Sequence, residues 1–273
     1  MIGKLGRLGT FAVAAGVSRA VYAGLRRGDD ERWRRKNYAG RSVDLYAGPA
    51  TVVGTAIAAG TASAARGGPV ARGGPAARGG PVAFAVLAAG ACGAYDDLRG
   101  DHRRGFRAHL DALRCGEVTS GAVKLFGIGA AGLVAGALLK ERPVDKVLAG
   151  VVIAGTAHFV NLVDVAPGRA ALTVLGLGAP GLLRGPLAAA PMGAAAAVLA
   201  DDLGERTMLG DAGAHALGAA VGCAIAAGNG RLGLAVHAAG LIAAAVCGER
   251  SEMGVPRPEA GGRSVPSCAH PCE

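Results

Sequence analysis

Apolar and polar residues alternate along this chain in long blocks rather than at single positions. Nine stretches rich in Ala, Gly, Val and Leu follow one another, separated by polar or charged segments. A helix needs about 20 apolar residues to cross a bilayer core, and helices that pack through Gly and Ala tolerate shorter runs. The pattern therefore predicts an all-α polytopic membrane helix bundle of about nine spans. The predicted spans are residues 1–25, 45–65, 82–95, 121–139, 147–163, 170–183, 186–200, 212–228 and 232–247.

The first of these stretches has two interpretations. Lys4 and Arg7 precede a thin apolar run that Arg19 interrupts, which suits either a signal peptide or a weak first span. A signal peptide has a clean apolar core and a small-residue cleavage site, and residues 16–22 offer neither. We therefore favour a first span.

The charges between the spans set the predicted orientation. Residues 26–41 contain seven Lys or Arg in sixteen positions, and by the positive-inside rule such a loop is cytoplasmic. Alternation from this loop places the N-terminus outside and the C-terminus in the cytoplasm. Seventeen of the 29 Lys and Arg residues then lie on inner segments, ten on outer segments and two within spans.

Three segments between or after the spans have a recognisable character. Residues 65–82 hold three copies of Ala-Arg-Gly-Gly-Pro, too few and too rich in Gly and Pro for a solenoid, so we expect a flexible outer loop. Residues 106–113 predict a short amphipathic helix on the cytoplasmic side. Residues 251–273 predict a disordered cytoplasmic tail, which leaves 1–250 as one integral membrane domain.

Composition narrows the function. The chain is 51% hydrophobic and 18% charged, with a formal charge of +9, whereas a soluble domain carries about 25% charged residues. The basic residues lie between apolar runs without an aromatic platform, which argues against nucleic-acid binding. Cys268 and Cys272 in the tail have no second ligand pair at zinc-finger spacing, which argues against a zinc site.

Acidic residues recur where three predicted spans meet the cytoplasm. Asp96 and Asp97 close one span, Asn161 and Asp164 close another, and Asp211 opens a later one within a glycine-rich turn. Carboxylates at such positions are costly unless they bind something, and hard oxygen ligands without thiolate or imidazole partners suit Mg²⁺ or Mn²⁺. The three helix ends therefore predict one cation site.

A basic loop lies on the same side of the predicted bundle. Lys36 and Arg41 belong to it, and their field attracts an anion such as a nucleotide diphosphate. A metal-dependent site between water and bilayer suits phosphoryl transfer from a soluble nucleotide to a lipid acceptor. An acceptor phosphate monoester is mostly dianionic at neutral pH, so neutralising its charge is the larger catalytic task.

The motifs and their order resemble a known membrane family. They are Asn37-Tyr-Ala-Gly-Arg41 with Gly48-Pro49, Gly93-Ala-Tyr-Asp96-Asp97, Asn161-Leu-Val-Asp164 and Leu209-Gly-Asp211-Ala-Gly213. Over about residues 37–250 the chain resembles the polyprenyl-phosphate N-acetylhexosamine-1-phosphate transferases. This family includes phospho-N-acetylmuramoyl-pentapeptide transferase and undecaprenyl-phosphate N-acetylglucosamine-1-phosphate transferase.

The resemblance implies a reaction and a role for each motif. A sugar-1-phosphate moves from a UDP-sugar to polyprenyl phosphate at the cytoplasmic face of the inner (plasma) membrane, UMP is released, and the chain is a multi-pass protein of cell-envelope assembly. Asp211 is implied as a ligand of Mg²⁺, or of Mn²⁺, and the catalytic pair Asp96 and Asp97 as neighbours of the acceptor phosphate and the metal. The implied substrate-binding residues are Asn37, Arg41, Asn161 and Asp164. The resemblance also leaves a homodimer open.

Two other functions stay open. The chain departs from the family pattern at three places. The family has a second Asp-Gly where this chain has Asp164-Val-Ala-Pro-Gly, and it has a small polar residue where this chain has Ala214-His215. The family also has a histidine-rich loop and a tenth span, whereas this chain ends in a tail that contains only His270. These departures favour a catalytically silent relative that binds lipid-linked sugar or a partner enzyme. A small transporter is the third possibility, but it requires ionisable groups at mid-membrane.

Overall fold

Helices account for most of the residues that the computed structural model describes, which are 2–28, 30–37, 39–64, 78–100 and 106–253. A short antiparallel hairpin joins the first two helices and pairs strands β1 (Arg34–Lys36) and β2 (Ser42–Asp44). The helices are α1 (Ile2–Leu25), α2 (Ala47–Ala64), α3 (Gly79–Arg99), α4 (Phe106–Arg114), α5 (Ser120–Leu139), α6 (Pro143–Leu162), α7 (Arg169–Arg184), α8 (Ala189–Leu203), α9 (Gly210–Gly228) and α10 (Arg231–Met253).

The all-α prediction is confirmed, and each predicted span coincides with a helix. The amphipathic segment predicted at 106–113 forms α4. Within the described residues, four helical segments are long and apolar enough to cross a membrane, namely Gly6–Leu25, Ser120–Leu139, Pro143–Leu162 and Arg231–Gly248. By contrast, α7 and α8 have 16 and 15 residues, short of the roughly 20 that a bilayer core requires.

Two helices extend into the ranges that the sequence assigned to the outer loop and the tail. Helix α3 begins at Gly79, inside the range 65–82 assigned to the outer loop, and α10 continues to Met253, into the range assigned to the tail. Residues 65–77 and 254–273 lie outside the described residues. The hairpin and a 3₁₀ turn at Glu31–Trp33 occupy the basic loop between α1 and α2.

Local signals explain where helices begin. The Thr119 hydroxyl accepts a hydrogen bond from the Ala122 backbone N–H at 3.1 Å, which caps α5. Pro143 opens α6, where its missing N–H is not needed. Ala and Gly fill the interfaces between helices, and α9, buried on most sides, packs against α2, α3, α6 and α7.

Contacts between helix ends define two ends of the bundle. The C-terminal turn of α3 meets the N-terminus of α9 through Asp97 and Asp211, and the N-terminus of α7 meets the C-terminal turn of α8 through Gly168 and Asp202. We call this the aspartate end. Consecutive long helices therefore run in alternate directions, as the predicted alternation requires.

The opposite end carries mostly basic side chains. Lys140, which caps α5, donates to the carbonyl oxygen of Asn229 at 2.7 Å, and Arg231 of α10 pairs with Asp145 of α6 at 2.7 Å. Arg184 at the C-terminus of α7 donates to the Gly228 carbonyl of α9. We call this the arginine end. Charged groups thus concentrate at the two ends of the helices, with apolar residues between them.

Large apolar side chains point away from the bundle along its outer helices. On α5, Phe126 and Leu138 are exposed, and on α10, Leu232 and Val236 are exposed. An outward apolar surface on helices of this length is costly in water and favourable in lipid. These features support a membrane protein.

Gly93 of α3 lets this helix approach α9 at the aspartate end. A Cβ atom at position 93 would lie 2.6 Å from the backbone nitrogen of Ala212 and closer still to the Asp211 carbonyl group. These atoms belong to backbone and cannot rotate away. The absence of a side chain at Gly93 therefore sets the distance between the Asp96–Asp97 pair and Asp211.

We expect Gly93→Ala to lower the free energy of unfolding by about 1–3 kcal/mol, because overpacking forces the backbones of α3 and α9 apart. Gly129→Ala in α5 is the matched control, since no atom lies within 4 Å of a Cβ built there and alanine favours a helix over glycine. Thermal unfolding in detergent measures both variants. Equal midpoints for the two would contradict the close α3–α9 contact.

Candidate functional site

Asp97 joins α3 to the N-terminus of α9. Its carboxylate accepts the backbone N–H of Asp211 at 3.0 Å and that of Ala212 at 2.9 Å. These N–H groups have no partner within the helix, and a negative charge at this position also interacts favourably with the helix dipole. Gly210 precedes them with φ 60°, and a Cβ there would lie about 3.0 Å from the Asp97 carboxylate. Asp97 therefore fixes where Asp211 lies.

Lys124 of α5 bridges two of the predicted catalytic carboxylates. Its Nζ donates to Asp96 at 2.9 Å and also donates to Asp211. The three side chains are only 22%, 20% and 23% exposed, so water screens the two ion pairs weakly. Sequence reasoning did not identify this contact of Lys124. The available signal was its position one turn into α5, at the same end as the aspartates.

Asp164 lies among other carboxylates just after α6. Burial raises the pKa of Asp164 to about 8, and the negative charges of Asp202, Asp211 and Asp97 act in the same direction. Within the described residues, no hydrogen-bond donor or cation contacts its carboxylate. Asp202 is itself held by the Gly168 backbone N–H at 3.2 Å. Asp164 is thus a carboxyl group whose ionised form is stabilised by no cation among the described residues.

We expect Asp164→Asn to stabilise the protein at pH 7 by a few kcal/mol. Below pH 4 the carboxyl is protonated in both folded and unfolded states, so the substitution has little effect. Between about pH 4 and pH 8 the unfolded state ionises first, and the wild type loses stability as pH rises. Thermal unfolding from pH 4 to pH 8 measures the difference.

Asp145→Asn is the matched control for this pH series, because Asp145 already pairs with Arg231. Removing that carboxylate gives no gain at pH 7. The same pH profile for wild type and Asp164→Asn would contradict the position of the half-buried Asp164 carboxyl among other carboxylates.

Asn37 and Arg41 lie in the turn of the β-hairpin. The Asn37 side chain donates to Glu205 Oε2 at 2.7 Å and accepts the Arg41 backbone N–H at 2.8 Å, and Asn37 is buried. The Arg41 side chain is 67% exposed, 3.5 Å from Glu205. Among the described contacts, none links either residue to the aspartates. The structure therefore gives Asn37 a role in holding the turn and leaves the Arg41 guanidinium accessible.

The hairpin is nevertheless fixed beside the site. The Arg35 guanidinium donates to the backbone carbonyl of Asp97, and Thr207, before α9, donates to Asp44 Oδ1 at 2.6 Å. Arg35 was missed because it is one of seven basic residues in its loop, and composition does not distinguish among them. The basic hairpin thus borders the aspartate end.

Asn161 is the last of the predicted site residues. It is in the final turn of α6, and its backbone carbonyl accepts the Asp164 backbone N–H at 3.1 Å. His215 of α9 is buried, and its Nδ1 lies 2.7 Å from the Asp211 carbonyl one turn earlier. The structure thus brings together Asp96, Asp97, Asp164 and Asp211, and it adds Lys124, Arg35 and Asp202.

The donor set bears on the implied metal. No group of three or more His, Cys, Asp or Glu side chains in the described parts of the chain is arranged to hold a metal ion. Mg²⁺ usually takes one or two protein carboxylates and completes its shell with water and substrate phosphates. Asp211 and Asp164 have carboxylate oxygens of this chemical kind and are the residues that would hold such an ion. Asp211 already pairs with Lys124, so a Mg²⁺ ion there would compete with the ammonium.

No protein-family model matches the chain, and no curated protein matches it. The resemblance to the polyprenyl-phosphate sugar-phosphate transferases therefore stays a prediction that rests on four short motifs.

Proposed function

We propose that this protein is a Mg²⁺-dependent phosphoglycosyl transferase. It moves a sugar-1-phosphate, of the N-acetylhexosamine type, from a UDP-sugar to polyprenyl phosphate and releases UMP. The observation that supports this most is the meeting of three helix ends at Asp96, Asp97, Asp164 and Asp211, with Lys124 between two of the carboxylates. A cluster of acidic and basic side chains next to the apolar outer surface of the helices suits a reaction between a soluble anion and a lipid phosphate.

The same proposal includes the arrangement in the membrane. Nine helices cross the inner (plasma) membrane, with the N-terminus outside and the C-terminus in the cytoplasm. The alternating directions of the long helices and the excess of Lys and Arg on the inner segments support it. Short helices such as α7 and α8 are accommodated because neighbouring helices pack against them.

Bond changes in the reaction are simple. An oxygen of the acceptor phosphate attacks the β-phosphorus of the UDP-sugar, and the bond from that phosphorus to the bridging oxygen of UMP breaks. UMP leaves with the bonding electrons, and the product is a lipid-linked diphospho-sugar. The attacking phosphate is already ionised, so no side chain has to remove a proton from it.

Residues of the site neutralise and position the reacting groups. The Lys124 ammonium attracts the acceptor phosphate and stabilises charge that develops in the transition state. Asp97 holds the N-terminus of α9 in place, and Asp211 together with Asp164 would hold Mg²⁺. When bound, this ion neutralises the diphosphate and polarises the phosphorus under attack. Arg35 and Arg41 border the site and attract the diphosphate of the donor.

A catalytically silent relative is the second candidate. It is favoured by Lys124, whose ammonium already pairs with both Asp96 and Asp211 and so competes with a metal ion for them. Such a protein binds the lipid-linked sugar or a partner enzyme without turnover.

An assay over a panel of donors separates the two. Membranes containing the protein are incubated with polyprenyl phosphate, Mg²⁺ and one UDP-sugar at a time, and the labelled lipid product is extracted. We expect a lipid-linked product with at least one UDP-N-acetylhexosamine. Absence of product with every such donor, from protein shown to be folded, would favour the silent relative.

A further inference from the structure

A cavity of about 240 Å³ opens at the arginine end, remote from the aspartates. One water molecule occupies roughly 30 Å³, so the space is large enough for a group such as phosphate. No Asp or Glu is among the described residues that line it. The lining residues that matter here are Arg7, Arg78, Arg184, Leu187, Ala224 and Gly228.

The arginines of the cavity are held by carbonyl groups at helix ends. Arg7 donates one N–H to the Leu183 carbonyl at 3.4 Å, and Nη1 of Arg184 donates to the Gly228 carbonyl and to Asn229 Oδ1. A guanidinium carries five N–H groups. Both arginines therefore keep donors for a ligand, while their protein contacts fix where the guanidinium groups lie.

Positive charge at this end exceeds negative charge near the cavity. Lys140 lies beside Arg78, and the pKa of Lys140 is lowered first by burial and then by the charge of Arg78. The neighbouring carboxylate, Asp145, is already paired with Arg231 at 2.7 Å. An anion in the cavity would relieve the repulsion among these cations.

Exposed apolar side chains stand next to two of the cavity's arginines in the chain. Leu8 follows Arg7 and Leu183 precedes Arg184, and their side chains, which are not part of the cavity lining, are 69% and 81% exposed. Exposed leucines next to guanidinium groups match a molecule with a charged head and apolar chains. A free phosphate ion gains nothing from such neighbours.

We propose that the cavity binds a phosphate group, that of an anionic phospholipid in the membrane leaflet at the arginine end. The guanidinium groups of Arg7 and Arg184 donate to the phosphate oxygens, since paired N–H donors suit phosphate geometry. The acyl chains of the lipid lie against Leu8 and Leu183. The site is independent of the reaction proposed for the aspartate end and does not rest on it.

Native mass spectrometry of the full chain released from nanodiscs tests this site. The discs contain phosphatidylglycerol and phosphatidylcholine in equal amounts, and retained lipid is counted. We expect wild type to retain phosphatidylglycerol preferentially and Arg7→Gln to bind it about tenfold more weakly, corresponding to ~1.4 kcal/mol. Arg7 suits this test because, among the described residues, it makes one hydrogen bond, which is 3.4 Å long, so we expect its loss to leave the fold intact.

Arg142→Gln is the matched control, because Arg142, the exposed N-cap residue of α6, lies at the same end but outside the cavity lining. It should retain phosphatidylglycerol as wild type does, and Arg184→Lys, which keeps the charge but loses the paired donors, should fall between. Equal retention by wild type and Arg7→Gln, or equal loss in Arg142→Gln, would overturn the proposal. A second arm adds inorganic phosphate without phosphatidylglycerol. If inorganic phosphate raises the unfolding temperature and phosphatidylglycerol is not retained preferentially, the bound phosphate group is that of a free phosphate ion and not that of a lipid.

Discussion

Asp211→Asn is expected to lower UMP release on the order of 10²–10³-fold, the range found when one preorganised electrostatic partner of a reaction is removed. Asparagine keeps the size of the side chain but loses the charge that holds Mg²⁺ and pairs with Lys124. The backbone N–H of residue 211 still donates to Asp97, so the start of α9 stays in place. UMP release from the UDP-sugar, measured with polyprenyl phosphate and Mg²⁺, gives the effect.

The matched control is Asp145→Asn at the arginine end. It removes an ion-paired carboxylate of the same type and should leave UMP release within about twofold of wild type. Thermal unfolding of both variants separates lost catalysis from lost folding. Unchanged lipid-linked product with Asp211→Asn would contradict its assignment as the metal ligand.

Lys124→Met is expected to lower stability by ~3 kcal/mol and to abolish transfer. The substitution keeps the length of the side chain but leaves Asp96 and Asp211 as weakly exposed carboxylates without their cation, and breaking such a pair is costly. The acceptor phosphate also loses the ammonium that attracts it. Thermal unfolding without Mg²⁺ measures the first effect, and product formation measures the second.

Magnesium gives this prediction a second readout. If Mg²⁺ binds at Asp211, it should raise the unfolding temperature of Lys124→Met more than that of wild type, because the ammonium no longer competes with it. Lys146→Met, in the first turn of α6 at the other end, is the control and should respond as wild type does. An unfolding temperature of Lys124→Met equal to that of wild type would contradict the bridging role of Lys124.

Helices were the part of the fold that sequence reasoning could predict. Blocks of apolar residues between polar segments identified each long helix, and the polar pattern at 106–113 identified α4. The hairpin escaped prediction because each strand has three residues and β1 is entirely charged. Strands this short follow from contacts with distant segments, such as that of Asp44 with Thr207, and local sequence does not encode those contacts.

The candidate site was predictable in its location and less so in its contacts. Placing Asp96, Asp97, Asp164 and Asp211 at one end required only the alternation of helix directions. Which side chains meet there depends on helix rotation and packing, and Gly93 illustrates this because its missing side chain sets how closely α3 and α9 approach. Periodicity alone therefore could not show that Asp97 caps α9.

Two residues illustrate how residue type can mislead. A lysine near a membrane surface usually extends its charge to water, and Lys124 instead lies between two carboxylates. The family resemblance implied substrate binding for Asn37, and the structure adds that its side chain is held within its turn by Glu205 and Arg41. The partners of Lys124 and the partner Glu205 of Asn37 are distant in sequence, so residue type alone did not reveal these contacts.

The most direct measurement is the balance between UMP and lipid-linked product formed by the purified protein. The proposed reaction requires one UMP for each lipid-linked sugar phosphate and no UMP when polyprenyl phosphate or Mg²⁺ is omitted. With a UDP-sugar that the protein accepts, we expect equal amounts of UMP and lipid-linked product, and we expect both to require polyprenyl phosphate and Mg²⁺. UMP released without the lipid acceptor, or lipid product formed at the same rate with Mg²⁺ chelated and Mn²⁺ absent, would contradict metal-dependent sugar-phosphate transfer.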